Sequence, residues 1–184
     1  MSQAVLHRLH RPNTALVHLW FTLTQLDKVR CPSLQEKTHL RISLIVSDRT
    51  LTPNAVCVYC GASPGTSPEY IKVATAVGEA LALAGITLVY GGGRRGLMGG
   101  TAFACLSAGG KVLGVIPQAI QASGGEGTGQ VIASETAAEE AIWSKAENVV
   151  VSSMHDRKKH MATQSGAFIG LPGGYGTFEE VRVA

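Results

Sequence analysis

The chain has 184 residues, 45% of them hydrophobic and only 5% aromatic, which suits one domain with a core of Ala, Val, Ile and Leu. The net charge of +3 comes from residues 1–54, which hold seven Lys or Arg and three Asp or Glu. Residues 55–184 hold nine Lys or Arg and ten Asp or Glu. Because that larger part is almost neutral and has no basic stripe with interleaved aromatic residues, we expect no nucleic-acid partner.

Residues 1–54 lack clear periodicity and are expected to form a poorly ordered extension of unknown role. The apolar stretch 15–26 is interrupted by polar residues and is shorter than the roughly 20 apolar residues that cross a bilayer. No small-residue cleavage site follows it cleanly, and three acidic residues in the extension disfavour an organelle transit peptide. We therefore expect a cytoplasmic protein with no membrane partner.

From residue 55 onward, short apolar runs alternate with helical patterns. The predicted strands are 55–60, 86–90, 111–116, 148–151 and 167–171. The predicted helices are 67–84, 99–108, 137–145, 154–164 and a last one that opens on Thr177, and residues 118–136 are predicted to form a surface loop. Apolar strands separated by helices predict an α/β domain over residues 55–184, with an open parallel sheet, helices on both faces and right-handed crossovers.

The four cysteines raise the question of a metal or redox site. Cys57 and Cys60 form a CxxC pattern, but positions three apart on a strand point to opposite faces, so these thiols should be separate and buried. His155 and His160 lie five apart on a predicted helix and do not share a face as metal ligands do. We predict no metal site, and reduced thiols favour an intracellular compartment.

Glycine-rich turns follow three of the predicted strands, at residues 61–63, 91–100 and 172–177. In an open parallel sheet ligands bind outside the carboxyl ends of the strands, so these turns should line one crevice. The alternative is that the glycines only permit tight turns. Neither GxGxxG nor GxxxxGK[ST] spacing is present, which leaves a mononucleotide or a sugar phosphate as the expected ligand.

Two charged segments accompany these turns. The unpaired N–H groups of the last helix attract an anion, and Glu179 and Glu180 follow in its first turns. The segment 154–159 opens another helix, where Arg157 can hold a phosphate or a carboxylate with a planar pair of donors. The alternative for this second segment is a solvated helix face.

The segment Met154-His155-Asp156-Arg157-Lys158, followed by the PGGxGTxxE segment 172–180, resembles the "Lonely Guy" cytokinin riboside 5'-monophosphate phosphoribohydrolases. Supporting segments are 60–63 and 90–100, and the similarity runs from about residue 56 to residue 181. The resemblance implies a Rossmann-like fold, a homodimer without cofactors, and hydrolysis of the N-glycosidic bond of N6-substituted adenosine monophosphate. The products would be the free base, an active cytokinin, and ribose 5-phosphate, and plain AMP is a further candidate substrate.

Residue by residue, the resemblance implies a catalytic pair formed by Arg157 and Glu180. It implies substrate binding by a larger set: Lys158, Gly173, Gly174, Tyr175, Gly176, Thr177, Gly92, Gly93, Ser63 and Met154. Breaking a base from ribose builds positive charge at the anomeric carbon and negative charge on the base, so a carboxylate and a cation are both useful. Glu179 is the alternative to Glu180, because either could complement the helix dipole.

The chain departs from the family pattern at Gly166, where members commonly carry an acidic residue, and in the 118–136 loop. It also ends before the family's final strand and helices, so we expect the domain to be C-terminally incomplete. A non-catalytic carrier of a nucleotide or phosphorylated cofactor is the second functional hypothesis. A lysine decarboxylase is the third, although no lysine has a distinctive context for a Schiff base.

Overall fold

The architecture is a six-stranded sheet with helices on both faces. The computed structural model describes residues 43–46, 54–122 and 136–183. The strands are β1 (Ser43–Val46), β2 (Ala55–Tyr59), β3 (Thr87–Tyr90), β4 (Val112–Pro117), β5 (Glu147–Val151) and β6 (Ala167–Gly170). The helices are α1 (Pro68–Leu83), α2 (Gly96–Ser107), α3 (Gln118–Ala122), α4 (Ala137–Trp143), α5 (Met154–Thr163) and α6 (Tyr175–Val183). None of the helices in these ranges is both long and apolar enough to cross a membrane.

The strand order is β1-β6-β2-β3-β4-β5, and every neighbouring pair from β6 to β5 is parallel. The expected α/β fold with a Rossmann-like open parallel sheet is therefore confirmed. One strand was not expected, because β1 lies within the segment 1–54 and pairs antiparallel with β6, from Ser43 opposite Gly170 to Val46 opposite Ala167. This strand covers the edge of β6.

Alternate residues of β2, together with Cys60 directly after it, face two separate cores. Val56, Val58 and Cys60 pack with α1, α2 and Trp143 of α4, whereas Cys57 and Tyr59 pack with Met161 of α5 and with α6. The prediction that the two CxxC thiols lie on opposite faces is confirmed. Helices α5 and α6 consequently share one face of the sheet, which brings their side chains together over β2.

Two predicted helix starts and one part of the predicted loop were wrong. Helix α2 begins at Gly96 rather than at residue 99, because the N–H of Gly99 already donates to the carbonyl of Arg95 at 3.0 Å. Gly96 itself has a φ of +60° and packs against the backbone of Ala62, where a Cβ would collide. Helix α6 begins at Tyr175 rather than Thr177, since the N–H of Phe178 already donates to the carbonyl of Gly174. Residues 118–122 of the predicted loop form α3, and residues 123–135 lie outside the described ranges.

Candidate functional site

The turns that follow β2, β3 and β6 are joined by backbone hydrogen bonds at the carboxyl edge of the sheet. The N–H of Gly61 donates to the carbonyl of Pro172 at 3.0 Å, and the N–H of Met98 donates to the carbonyl of Gly61 at 3.2 Å. The chain runs outward from β2 to β5 and then returns to place β6 on the other side of β2. This reversal is a topological switch point, where open α/β sheets form their ligand crevice.

Arg157 extends from α5 into this crevice and is only 4% exposed. Its Nη2 donates to the carbonyl oxygen of Gly91 at 3.1 Å, and its Nη1 lies 3.9 Å from the sulfur of Met154. A Cβ at residue 91 would collide with Nη2, so only glycine allows this approach. The charge run 154–159 is therefore not merely a solvated helix face.

A capping network fixes the start of α5 and thus the direction of Arg157. Ser153 is the N-cap, and its Oγ accepts from the N–H of Asp156 at 3.1 Å. The hydroxyls of Ser152 and Ser153 donate to Oδ2 of Asp156 at 2.5 and 2.6 Å. These hydrogen bonds, that of Ser152 first, lower the pKa of the Asp156 carboxyl.

Glu180 and Arg157 act on the same buried groups of β2. Glu180 is 9% exposed, and Tyr59 is 3% exposed. Burial chiefly raises the pKa of the Tyr59 phenol; the neighbouring Cys57 and the Glu180 carboxylate raise this pKa further, and the Arg157 guanidinium lowers it. The pKa of the Cys57 thiol is likewise raised, chiefly by burial and further by the Glu180 carboxylate. The hydrogen bond from Tyr59 and the Arg157 guanidinium act in the opposite direction and lower this pKa. Both charges therefore lie within electrostatic reach of the end of β2.

The two neighbouring carboxylates of α6 occupy different environments. Glu179 is exposed and accepts a hydrogen bond from Nζ of Lys158 at 2.5 Å, whereas Glu180 is buried on the side that faces β2. The Lys158 side chain is 21% exposed and that of Glu179 is 64% exposed. The ion pair ties α5 to α6 directly beside Arg157 and Glu180.

The remaining residues of the PGGxGTxxE segment form the N-terminus of α6. Gly173, Gly174, Tyr175 and Gly176 are exposed, Tyr175 almost completely at 97%, and Thr177 is half-buried. The Thr177 side chain lies against Gly173, where a Cβ would collide with it. Helix geometry leaves the first N–H groups of α6 without a partner inside the helix, so they can receive an anion.

The N-terminus of α2 is different, because neighbouring carbonyls already cap it. The N–H of Leu97 donates to the carbonyl of Ser63 at 3.4 Å, and that of Met98 donates to Gly61. Ser63 is exposed in the first turn, while Gly92 and Gly93 are buried in the second. Helix α1, which follows the turn after β2, is capped by Ser67, whose Oγ accepts from the N–H of Glu69 at 3.3 Å. Helix α6 is therefore the better candidate for binding an anion, and the three turns are not equivalent.

Arg94 anchors the second glycine turn from the opposite side. Its guanidinium donates to both carboxylate oxygens of Glu140 in α4, at 2.8 and 3.5 Å, and lies 5.1 Å from the ring centre of Trp143. The turn is thus held at Gly91 by α5 and at Arg94 by α4. The sequence gives no signal for this contact, because the partners are 46 positions apart.

Three other participants escaped the sequence analysis: Tyr59, the Gly91 carbonyl and the Lys158–Glu179 pair. A tyrosine at the end of an otherwise apolar strand, on the face of Cys57, was the available signal for Tyr59. The other two depend on contacts between distant elements and had no local signal. Across the described ranges, no three His, Cys, Asp or Glu side chains form a group that could hold a metal ion.

A surface groove lies away from this crevice. It has a volume of about 530 Å³ and is lined by residues of α1 and α2, which include Glu79, Leu83 and Phe103. These helices pack on the face of the sheet opposite α5 and α6. The groove is open and carries neither Arg157 nor Glu180, so the charged crevice is the better candidate for chemistry.

Comparison with known proteins gives a consistent family of relatives. The family described as "Possible lysine decarboxylase" matches residues 98–182. A probable cytokinin riboside 5'-monophosphate phosphoribohydrolase of Oryza sativa subsp. japonica is 44% identical over 126 residues, covering 68% of this chain and 49% of the relative. The enzyme of that name from Rhodococcoides fascians is 44% identical over 129 residues, which cover 70% of this chain and 58% of the relative. The enzyme from Arabidopsis thaliana is 44% identical over 126 residues, which cover 68% of this chain and 51% of the relative. The chain spans about half the length of the curated relatives it matches.

Solved structures confirm the fold alone. The molybdenum cofactor carrier protein of Chlamydomonas reinhardtii superposes with a TM-score of 0.53 at 22% identity, covering 73% of this chain and 71% of that one. The molybdenum cofactor binding protein of Rippkaea orientalis gives a TM-score of 0.53 at 21% identity, covering 74% and 72%.

Proposed function

We propose that this chain, which is homologous to the cytokinin riboside 5'-monophosphate phosphoribohydrolases over two thirds of its length, hydrolyses N6-substituted adenosine 5'-monophosphates. Water would replace the base at the anomeric carbon, releasing the free base and ribose 5-phosphate. AMP is the second candidate substrate of the same site.

One observation carries the proposal: a buried cation and a buried carboxylate lie on two helices that pack together over one face of the sheet. Arg157 and Glu180 are 4% and 9% exposed, and the Lys158–Glu179 ion pair joins α5 to α6 at the adjacent positions. Buried charges are costly unless they are paired or used, so two of them at a switch-point crevice indicate a functional site. The transition state of N-glycoside hydrolysis develops charge of both signs, which this arrangement can complement.

Each residue has a defined part in this mechanism. Glu180 stabilises the positive charge at the anomeric carbon and orients or deprotonates the attacking water. Arg157 fixes the nucleotide and helps to neutralise the charge that develops on the departing base. The N–H groups at the start of α6, with Lys158, receive the 5'-phosphate, and Met154 lies beside the guanidinium, where it borders the base.

The test is product analysis of the purified chain with isopentenyladenosine monophosphate and with AMP. Formation of the free base together with equimolar ribose 5-phosphate supports the proposal. Release of inorganic phosphate without free base would contradict it. A parallel purification from cells that lack this chain is the background control for a contaminating hydrolase.

A non-catalytic carrier of a phosphorylated cofactor is the second candidate, and the fold of the two molybdenum cofactor proteins favours it. A carrier binds its ligand without consuming it, so recovery of intact ligand after incubation would distinguish it from a hydrolase. A pyridoxal-dependent lysine decarboxylase fits less well. That chemistry needs a lysine held in the site for a Schiff base, and none of the lysines in the described ranges is buried.

We also propose that the chain is a cytoplasmic homodimer. The exposed apolar side chains of Val150 and Met154, each 45% exposed at the end of β5 and the start of α5, support a protein contact there. Cys57, Cys60 and Cys105 are buried thiols, as expected in a reducing compartment. Light scattering of the purified chain tests the dimer, and a fluorescent fusion tests the location.

A further inference from the structure

The Lys158–Glu179 ion pair joins α5 to α6 one position away from each member of the proposed catalytic pair. Lys158 follows Arg157 in α5, and Glu179 precedes Glu180 in α6. Nζ of Lys158 lies 2.5 Å from Oε1 of Glu179, so this ion pair bridges the two helices. An anion that binds the Lys158 ammonium therefore competes with this carboxylate.

The two partners are unequally exposed. The Lys158 side chain is 21% exposed, and that of Glu179 is 64% exposed. A partly buried ammonium needs an anionic partner, because desolvation disfavours an unpaired charge. An exposed carboxylate loses little when it returns to water, so Glu179 is the partner that can leave. A phosphate, with more charge and more acceptor oxygens, is a stronger partner for the same ammonium.

We propose that Glu179 is a placeholder for the substrate's phosphate. Its carboxylate pairs with the Lys158 ammonium when no ligand is bound, and a phosphate that binds displaces it. This inference rests on the proposed function, which puts the phosphate at the start of α6. It assigns to Glu179 a positioning role that is separate from the chemistry of Glu180. The consequence is that Glu179 weakens the binding of phosphate esters and favours their release.

The experiment measures the dissociation constants of ribose 5-phosphate and of inorganic phosphate by calorimetry. Glu179→Gln should bind both probes about threefold more tightly than the native chain, because Lys158 no longer needs to exchange partners. Glu69→Gln is the matched control, since it breaks another Lys–Glu pair, Lys72–Glu69 at 2.7 Å on α1, away from the crevice. This control should bind the probes as the native chain does.

A second background separates displacement from simple repulsion. In Lys158→Gln, the ammonium is absent, so adding Glu179→Gln should change the dissociation constants much less than it does in the native chain. An equal effect in both backgrounds would show general repulsion and overturn the placeholder role. Unchanged or weaker binding by Glu179→Gln would overturn it as well.

Hydrolysis of isopentenyladenosine monophosphate, assayed in parallel, keeps the two proposals distinct. A chain that hydrolyses the substrate but shows no tighter binding in Glu179→Gln retains the function and loses the placeholder role. A chain that binds the probes with the expected differences but releases no base retains the placeholder role and loses the function.

Discussion

Nη2 of Arg157 donates a hydrogen bond of 3.1 Å to the carbonyl oxygen of Gly91, a residue 66 positions earlier in the chain. The approach is so close that a Cβ at residue 91 would collide with the same nitrogen. The glycine turn after β3 and the first turn of α5 are therefore one unit, and the guanidinium is held in place by a residue that contributes no side chain.

Gly91→Ala should displace Arg157 without removing any functional group. Because a misplacement of about 1 Å can cost about a hundredfold in rate, we expect a loss of that order in kcat for isopentenyladenosine monophosphate. Gly100→Ala is the matched control, since its nearest neighbour is a side-chain atom of Ile71 at 3.8 Å, and it should turn over normally. Equal turnover in the two variants would show that the Gly91 contact does not position the arginine.

Glu180→Gln should lower kcat by about 10² to 10⁴, because the amide keeps the shape of the carboxyl but neither stabilises positive charge nor accepts a proton. The change is measured as release of free base under saturating substrate. Glu147→Gln, which removes an exposed carboxylate at the amino end of β5, should retain native turnover. Near-native turnover of Glu180→Gln would refute the catalytic assignment.

Arg94→Ala should destabilise the domain by about 1 kcal/mol, because it removes a partly buried ion pair with Glu140 and a cation–π contact with Trp143. Urea unfolding followed by tryptophan fluorescence measures this free energy. The exposed neighbour Arg95 provides the control, and Arg95→Ala should leave the unfolding midpoint within error. Two equal midpoints would mean that the Arg94 contacts add nothing to stability.

Asp156→Asn should reduce stability only above the pH at which the native carboxyl is ionised. Hydrogen bonds from Ser152 and Ser153 lower the folded-state pKa of the Asp156 carboxyl. The carboxylate therefore contributes stability above its unfolded pKa of about 4. This contribution is lost as the pH falls through the lower folded-state pKa. Urea midpoints of native and variant chains should therefore differ at pH 7, and the difference should shrink as the pH falls below about 4. A difference that stays constant or grows as the pH falls would contradict this linkage.

The succession of elements was predictable because its causes are local. Ser67 caps α1 with Pro68 at the first helical position, and the apolar runs of β2, β3 and β4 read directly as buried strands. The boundaries of α2 and α6 were wrong because glycine has a low helix propensity and masked the true starts at Gly96 and Tyr175. The short strand β1 escaped because its partner, β6, comes more than a hundred residues later.

Residue types and their spacing establish that glycine turns follow parallel strands and that one arginine and two glutamates lie near them, since both are properties of the chain. The three-dimensional fold was needed to separate the two carboxylates, because it buries Glu180 and leaves Glu179 exposed in an ion pair with Lys158. The fold also brings Arg157 to Gly91. Burial and long-range contact depend on how β6 returns beside β2 and places α5 and α6 on one face, which no local pattern encodes.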